Sequence, residues 1–488
     1  MTDSEFIRIV FGLKVRQYRQ KLGLSQQQLA GGTGLSKSYI NEIESGKKYP
    51  KHEKIVQIAD ALAVSYDQLV STKLDKSLEP LAEILRSDFF KQIPLELFGI
   101  NKINLISIVS EAPKDVTAFI NTIIEISQNY NLSREDFYFA VMRSYQELHE
   151  NYFPEIEEKA SAFFAENQLP SKPSAEKLRE ILTEKFHYKI TDQDFQKFGA
   201  TGKLRSLYFP DNKLLMMNEL LDENQKAFIL AKEIGYNVLG ISARPSTYSW
   251  LDFSSFDELL GNFFSSYFAG CLLISKSDVL PELSAFFEEK QWDARKFSSM
   301  MARFTDSPET FYYRLTNLLP QEFGFKDIFY LCFTKKKNSD NVKIIKEMHL
   351  NRKQSPRSSA VNEHYCRRWV AVKNLGSLQR RGQYSDIQIS NYAESGRRYL
   401  VISTSEQNPF SDGTNRSYCI GILINPAVQK KIRFLKEVPE VSVGTTCEYC
   451  PIQNCEVRQV PAVRLEKEKF NEELKSAIEK IKETADPD

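Results

Sequence analysis

The chain lacks several features that define whole classes of protein. Its 488 residues contain only seven cysteines and carry a net charge of +1. So few cysteines exclude a secreted disulfide scaffold, and so small a net charge gives no overall attraction to nucleic acid. The longest apolar runs, such as 263–274, are too short to span a bilayer, and the N-terminus lacks the pattern of a signal peptide. We therefore expect a cytoplasmic protein without membrane segments, in which DNA binding would depend on a local basic patch.

The clearest organisation lies in the first seventy or so residues, where start and stop signals predict five short helices. Ser25 and Ser36 are predicted N-caps, and a tight turn is predicted over 31–35. After a first helix that stops at Lys21, the predicted helices are 26–30, 37–44, 51–62 and 66–70. Two short helices across such a turn make a helix-turn-helix.

The segments 24–30 (LSQQQLA), 34–36 (GLS) and 43–50 (IESGKKYP) resemble the Xre/Cro/C1 family of helix-turn-helix domains. In that family the start of the third helix enters the major groove. The resemblance implies contacts with base edges by Lys37, Ser38, Asn41 and Glu42. It implies phosphate contacts by Gln26, Gln27, Tyr39, Lys47 and Lys48. The expected partner is a two-fold double-stranded DNA operator bound by a homodimer; a bundle that binds protein instead is the alternative.

A second resemblance lies between 171 and 320. A helix over 177–185, strands over 205–209 and 213–217 and a long helix over 224–239 are similar to the metallopeptidase-like domain of the ImmA/IrrE family. There the long helix carries His-Glu-x-x-His, whose histidines bind zinc while the glutamate activates water. Here the corresponding residues are Lys232, Glu233 and Tyr236, and Glu258 stands at the acidic third-ligand position. A protonated lysine cannot bind zinc, so we expect a degenerate, zincin-like domain without peptidase activity.

Three cysteines, Cys447, Cys450 and Cys455, fall within a short run near the end of the chain. Thiols this close, in a chain expected to stay reduced, predict a metal or iron-sulfur site. Three thiolates still need a fourth ligand from elsewhere in the fold. Zinc, an iron-sulfur cluster and unligated cysteines all remain open on these residues alone.

The order of the domains, with the cysteine tail, resembles the short-chain fatty-acyl transcriptional regulators over nearly the whole chain. The resemblance implies a GAF-like α+β sensor domain, a short-chain acyl-CoA effector and an iron-sulfur cluster. It favours Cys366, shortly before a tryptophan, as the fourth ligand of a [4Fe-4S] cluster; zinc, with Cys366 or His364, is the alternative. A helix is predicted over 307–320, and strands are predicted over 327–333, 369–372 and 399–404.

The sequence therefore predicts a multidomain, mainly α protein with α+β parts. Its domains are a five-helix DNA-binding bundle (1–72), a helical linker or dimerisation region (73–170), a degenerate peptidase-like domain (171–320) and a GAF-like sensor (321–488). The predicted function is a non-enzymatic, dimeric transcription factor that responds to an acyl-CoA or to redox state. The alternatives are an ImmA-like peptidase that acts on a repressor, and a DNA-binding adaptor that senses nothing.

Overall fold

The computed structural model of the chain describes residues 3–72, 134–197, 204–247, 253–337, 339–350, 364–378, 383–407 and 414–485. The chain divides into two compact units at residue 140. Most of the predicted helical linker, from 73 to 133, lies outside the described residues.

The first unit begins with a helical bundle. Its helices are α1 (Asp3–Lys21), α2 (Gln26–Thr33), α3 (Lys37–Glu44), α4 (His52–Ala61) and α5 (Tyr66–Val70). The Ser25 hydroxyl accepts a hydrogen bond from the Gln28 backbone, and the Gln28 side chain accepts one from the backbone N–H of Ser25. The Ser36 hydroxyl caps α3 in the same way. Both predicted N-caps are confirmed, and they start the helices where side-chain oxygens satisfy otherwise unpaired N–H groups.

The turn between α2 and α3 is shorter than predicted. Residues 31–33 continue α2, and the helix ends at Gly34 in the left-handed conformation, with φ of 66°. Glycine adopts this conformation without steric cost. The chain therefore reverses over two residues rather than five, which fixes how α3 leaves α2.

The next elements combine helices with a small sheet. They are α6 (Arg134–Leu148), α7 (Pro154–Glu166), α8 (Ala175–Phe186), β1 (Lys189–Gln193), β2 (Ser206–Phe209), β3 (Leu214–Asn218) and α9 (Glu223–Val238). The sheet order is β1-β3-β2, with β1 parallel and β2 antiparallel to β3. The strands predicted over 205–209 and 213–217 are confirmed as β2 and β3, joined across Pro210–Asn212, whereas β1 was not predicted. The mostly exposed, polar side chains of β1 give no clear strand pattern.

Four further helices follow, and the first of them packs on α9. They are α10 (Phe256–Leu273), α11 (Lys276–Phe287), α12 (Ala294–Ala302) and α13 (Pro308–Phe323). The prediction that the last of them ends at Pro320 is wrong, because the helix continues for almost one more turn to Gly324. A proline this close to the end disrupts only one backbone hydrogen bond.

A buried ion pair joins α13 to α7. The two guanidinium nitrogens of Arg314 contact the two carboxylate oxygens of Glu157 at 2.5 and 2.8 Å, and the Tyr267 hydroxyl donates to Glu157 at 2.9 Å. Burial alone would raise the pKa of Glu157, but the hydrogen bonds from Arg314 hold it below its ordinary value. The pair is therefore ionised and ties together elements more than 150 residues apart.

The remaining elements form the last domain. They are β4 (Ile328–Lys336), β5 (Val342–His349), α14 (Val370–Ser377), β6 (Tyr384–Tyr392), β7 (Arg398–Gln407), β8 (Thr414–Leu423), α15 (Pro426–Lys431), β9 (Glu440–Val443) and α16 (Val463–Ala485). The sheet order is β5-β4-β8-β7-β6-β9, and every pair is antiparallel except β6 with β9. Helix α14 packs on one face of this sheet.

The prediction of a strand over 369–372 is wrong, because these residues open α14. Trp369 precedes the helix and packs against the rings of Phe333 and Tyr365. A run of four apolar residues does not distinguish a strand from a buried helix. The predicted strands over 327–333 and 399–404 are confirmed as parts of β4 and β7.

Candidate functional site

The third helix of the bundle presents a polar face. Lys37, Ser38 and Asn41 are exposed, while Ile40 and Ile43 on the opposite side are buried. A recognition helix must pack on its own domain and still reach base edges. The buried side and the polar side of this eight-residue helix meet these two requirements. The residues predicted to contact base edges therefore lie together on one accessible surface, apart from Glu42.

A hydrogen-bond network holds α2 against α3 at this surface. The amide of Gln26 donates to Oδ1 of Asn41 at 3.3 Å and to Oε2 of Glu44 at 2.9 Å. Glu44 in turn accepts from Arg19 at 2.5 and 3.0 Å. Glu44 is buried and Arg19 is partly buried, and sequence reasoning did not include either in the site. Their role is to position Gln26 and the third helix.

Glu42 is engaged within the domain. It pairs with Lys48 at 3.1 Å, and the Lys48 ammonium lies 5.3 Å from the centre of the Tyr39 ring. Gln27 and Lys47 are exposed. The predicted phosphate-contacting residues thus border the polar face of α3. The Glu42 carboxylate is paired with the Lys48 ammonium at the edge of that face.

The degenerate peptidase positions lie side by side on α9, and Lys232, Glu233 and Tyr236 are all buried. The Lys232 ammonium donates to Oδ1 of Asn262 on α10 at 2.5 Å. Glu258, at the third-ligand position, accepts from the backbone N–H and hydroxyl of Ser254 at 3.0 and 2.6 Å. A lysine occupies the place of the first histidine, and the acidic residue bonds to its own helix start.

Glu233, which would activate water in a peptidase, is tied to a cation. It accepts from Arg244 at 2.6 and 2.8 Å and from the Tyr188 hydroxyl at 3.0 Å. The Arg244 guanidinium lies 3.7 Å from the ring centre of Tyr208 and 4.3 Å from that of Tyr236. A carboxylate paired in this way is a poor general base. Arg244 and Tyr188 had no motif spacing that could have identified them from sequence.

Replacement of Lys232 by methionine is expected to stabilise the protein by about 1–3 kcal/mol near pH 7, because an apolar side chain removes a buried charge. Burial lowers the pKa of Lys232 from 10.5 to about 7. Between those values the unfolded chain binds more protons, so this residue makes stability rise with pH. The gain from Lys232→Met should be full below pH 7 and vanish towards pH 10.5.

The three tryptophans, at 250, 292 and 369, all belong to the second unit, so urea unfolding followed by their fluorescence measures the effect of Lys232→Met. Exposed Lys177→Met on α8 is the control and should change stability by less than about 0.5 kcal/mol. A destabilised Lys232→Met protein, or a gain that persists at pH 10.5, would contradict the assignment of a buried lysine with a lowered pKa.

The four predicted cysteine ligands meet at one small cavity of about 10 Å³. Cys366, Cys447, Cys450 and Cys455 all line it. The segment with Cys366 is held to the triplet by a backbone hydrogen bond from Cys366 to Thr445 at 3.2 Å and by one from Cys447 to His364 at 2.8 Å. Folding therefore brings Cys366 to a triplet about 80 residues away in sequence. The cavity holds about one water molecule.

Backbone N–H groups point at the sulfurs. The Gln459 N–H donates to Sγ of Cys447 at 3.5 Å. Burial raises the pKa of Cys366 to about 11, while backbone hydrogen bonds from Gly444 and Arg368 act in the opposite direction. Burial also raises the pKa of Cys450, against a backbone hydrogen bond from Ile452. Buried thiols with N–H groups aimed at them favour a thiolate once a cation neutralises the charge.

Arg458 and Gly444 shape the loop around this cavity. Arg458 donates to the backbone carbonyls of Cys447 and Cys450 at 2.9 and 3.1 Å. A Cβ at Gly444 would lie 2.7 Å from Sγ of Cys450, so only glycine fits beside that sulfur. Among the residues described, no three or more His, Cys, Asp or Glu side chains are placed to hold a metal ion as they stand. The donor types fit a thiolate-bound group, and the sulfurs would have to adjust around it.

Two family models match separate parts of the chain: a helix-turn-helix over residues 15–69 and an IrrE N-terminal-like domain over 188–316. The HTH-type transcriptional regulator PrpR of Mycobacterium tuberculosis is 21% identical over 492 residues, which cover 93% of this chain and 92% of that protein. Control protein C.BamHI of Bacillus amyloliquefaciens is 40% identical over 71 residues, covering 14% of this chain and 85% of that protein.

The chain is thus a multidomain helix-turn-helix protein that retains an IrrE-like domain. It belongs to the helix-turn-helix family, and similar proteins are named transcriptional regulators. A solved Mycobacterium tuberculosis transcriptional regulator aligns with a TM-score of 0.47 at 17% identity, over 66% of this chain and 94% of that one. Within the described ranges, no helix has both the length and the apolar character to cross a bilayer.

Proposed function

We propose that the chain is a sequence-specific, homodimeric transcriptional regulator. The observation that carries the proposal is the exposed face of α3 in a helix-turn-helix, with Lys37, Ser38 and Asn41 side by side. In this proposal these residues read base edges. The phosphates are contacted by the surrounding side chains, Gln26, Gln27, Tyr39, Lys47 and Lys48.

Glu42 has a different role in this proposal. Its pairing with Lys48 offsets the charge of the carboxylate beside the proposed phosphate contacts.

Selection of bound duplexes from a random pool tests the DNA-binding proposal. We expect enrichment of one sequence with two-fold symmetry, because a dimer presents two equal heads. Enrichment of no sequence would refute specific recognition.

The second half of the proposal concerns the cysteine cavity. Cys366, Cys447, Cys450 and Cys455 would together hold a [4Fe-4S] cluster, with a single zinc ion as the alternative. An iron-sulfur cluster there would supply a centre whose charge changes with redox state. The surrounding N–H groups and Arg458 orient the thiols and offset their negative charge.

The effector is proposed to be a short-chain acyl-CoA that binds the GAF-like α+β domain. The six-stranded sheet covered by α14 supports a sensor role for this region, and the resemblance to fatty-acyl regulators supplies the ligand class. An effector alters DNA binding only if its affinity differs between two arrangements of the heads. The zincin-like domain is proposed to act as a scaffold without peptidase activity, because Glu233 is paired with Arg244.

Replacement of Cys450 by serine is expected to abolish the bound metal. Anaerobically purified wild-type protein should be brown, with about four irons per chain, if the group is [4Fe-4S]. About one zinc per chain in a colourless protein would instead support the zinc alternative. Either metal should be lost from Cys450→Ser and retained in Cys271→Ala, a buried cysteine of α10. Wild-type protein without iron or zinc, or metal retained by Cys450→Ser, would refute the site.

A further inference from the structure

Helix α16 follows the cysteine loop, and most of its described side chains are exposed. Every side chain from 466 to 481 is exposed. Its large apolar residues are among the most accessible in the described chain, with Phe470 at 63%, Leu474 at 51% and Ile478 at 44%. A helix of 23 residues with one apolar stripe and no core to cover it is only marginally stable in water. Such a helix requires a partner surface.

The apolar stripe has the spacing of a coiled coil. Residues 463, 467, 470, 474, 477 and 481 alternate steps of four and three. This is the a/d pattern that packs one helix on another of the same kind. Four of these six are large apolar residues, and the helix carries as many basic as acidic residues, so a second copy meets no net repulsion.

We propose that α16 pairs with α16 of a second copy of this chain as an antiparallel coiled coil. A parallel pair would place Lys467 against Lys467 in the seam and leave Ala477 against Ala477. The antiparallel register avoids both self-pairings, because Lys467 of one copy then faces Ala477 of the other. Phe470 faces Leu474 twice at the centre, and Val463 faces Ile481 at each end.

Charges at the edges of the seam favour the same register. In the antiparallel pair Glu466 of each copy lies beside Lys480 of the other, giving two opposite-charge pairs. Near the two-fold axis, Glu473 of one copy meets Glu473 of the other, and this is a like-charge pair. In a parallel pair these edge positions face Asn471, Ile478 and Ala485, so no edge attraction offsets the repulsion between the lysines.

The start of α16 is fixed to the cysteine loop. The backbone N–H groups of Arg464 and Leu465 both donate to the Glu448 carbonyl at 3.2 Å, and the Arg464 guanidinium donates to the Tyr449 hydroxyl at 2.8 Å. Glu448 and Tyr449 lie between Cys447 and Cys450. A change in the cysteine loop therefore shifts the base of the pairing helix. This inference rests on, and deepens, the homodimer of the proposed function.

The test uses the full chain with Phe470→Glu and Leu474→Glu combined. Both sites are exposed, so the fold should persist, and an unchanged thermal midpoint checks this. Charges in the seam are expected to raise the dimer dissociation constant at least about tenfold in analytical ultracentrifugation, since a charge without a partner is costly to bury. The control is Lys469→Glu with Ser476→Glu, on the outer face of α16, which should leave the dimer unchanged. A monomeric wild-type chain, or equal dissociation constants for both variants, would overturn the proposal.

A charge exchange tests the orientation. Glu466→Lys and Lys480→Glu should each weaken the dimer about 3- to 10-fold, because each variant turns two attractive edge pairs into two repulsive ones, and the double variant should restore the dimer. Without restoration, the antiparallel register is wrong. Binding to a DNA half-site should be intact in every α16 variant. If the DNA-binding proposal fails, half-site binding is absent. If only the helix pairing fails, half-site binding is intact and the dimer dissociation constants do not change as expected.

Discussion

Replacing Lys37 and Asn41 together with alanine is expected to weaken operator binding about 30-fold or more, since each specific side-chain contact with a base contributes about 1–3 kcal/mol. Both side chains are exposed on α3, and the buried side of that helix is formed by Ile40 and Ile43. Truncation of the exposed pair therefore removes contacts with DNA without opening a cavity in the domain. Fluorescence anisotropy with the selected operator and with a scrambled duplex measures the loss of specificity.

The matched control for that variant is Lys54→Ala with Gln57→Ala on α4. These residues also form a lysine and amide pair, with the lysine Nζ 3.2 Å from the amide oxygen. Their removal should change operator affinity by only a few fold, mostly through the lost positive charge. If the α3 variant binds the operator as tightly as the control does, α3 is not the recognition helix.

Replacing Glu157 with alanine is expected to destabilise the second unit by about 3–5 kcal/mol, because the Arg314 guanidinium would be left buried without a counter-charge. The Arg314 side chain is only 1% exposed. Its Nε also donates to the Ile274 carbonyl at 3.1 Å, so it cannot swing out to water without breaking that contact. The midpoint of urea unfolding, followed by tryptophan fluorescence at pH 7, measures the loss.

Glu282→Ala supplies the control for this second result. Glu282 pairs with Arg303, but those side chains are 36% and 58% exposed. An exposed pair contributes about 0–1 kcal/mol, so its loss should be small. Similar unfolding midpoints for the two variants would show that the Glu157 pair does not hold α7 to α13.

Local signals in the sequence were sufficient for the helical bundle. Ser25 and Ser36 accept hydrogen bonds from the first turns of their helices, and these contacts span three residues. The helix over 37–44 was predicted with its observed ends for the same reason. The strand over 369–372 was wrong because α14 is short and its apolar residues are packed under the sheet, where tertiary contacts decide between helix and strand.

The sequence by itself predicted that α9 does not bind zinc in the manner of a peptidase, because Lys232 and Tyr236 stand where the His-Glu-x-x-His motif would have its histidines. It also placed three cysteines within reach of one another in a single loop. These are properties of residue type and short spacing, which the chain carries before it folds.

Only the tertiary structure decided the partners of these residues. It placed Arg244 on Glu233, Asn262 on Lys232 and Cys366 beside the cysteine triplet. Each of these contacts joins separate elements of the fold, and the last spans about 80 residues of sequence. Their geometry depends on how helices and strands pack, which no local spacing specifies. The cysteine loop was therefore visible in the sequence and the family resemblance pointed to Cys366, but the contact of Cys366 with the loop and the connection of the loop to α16 required the fold.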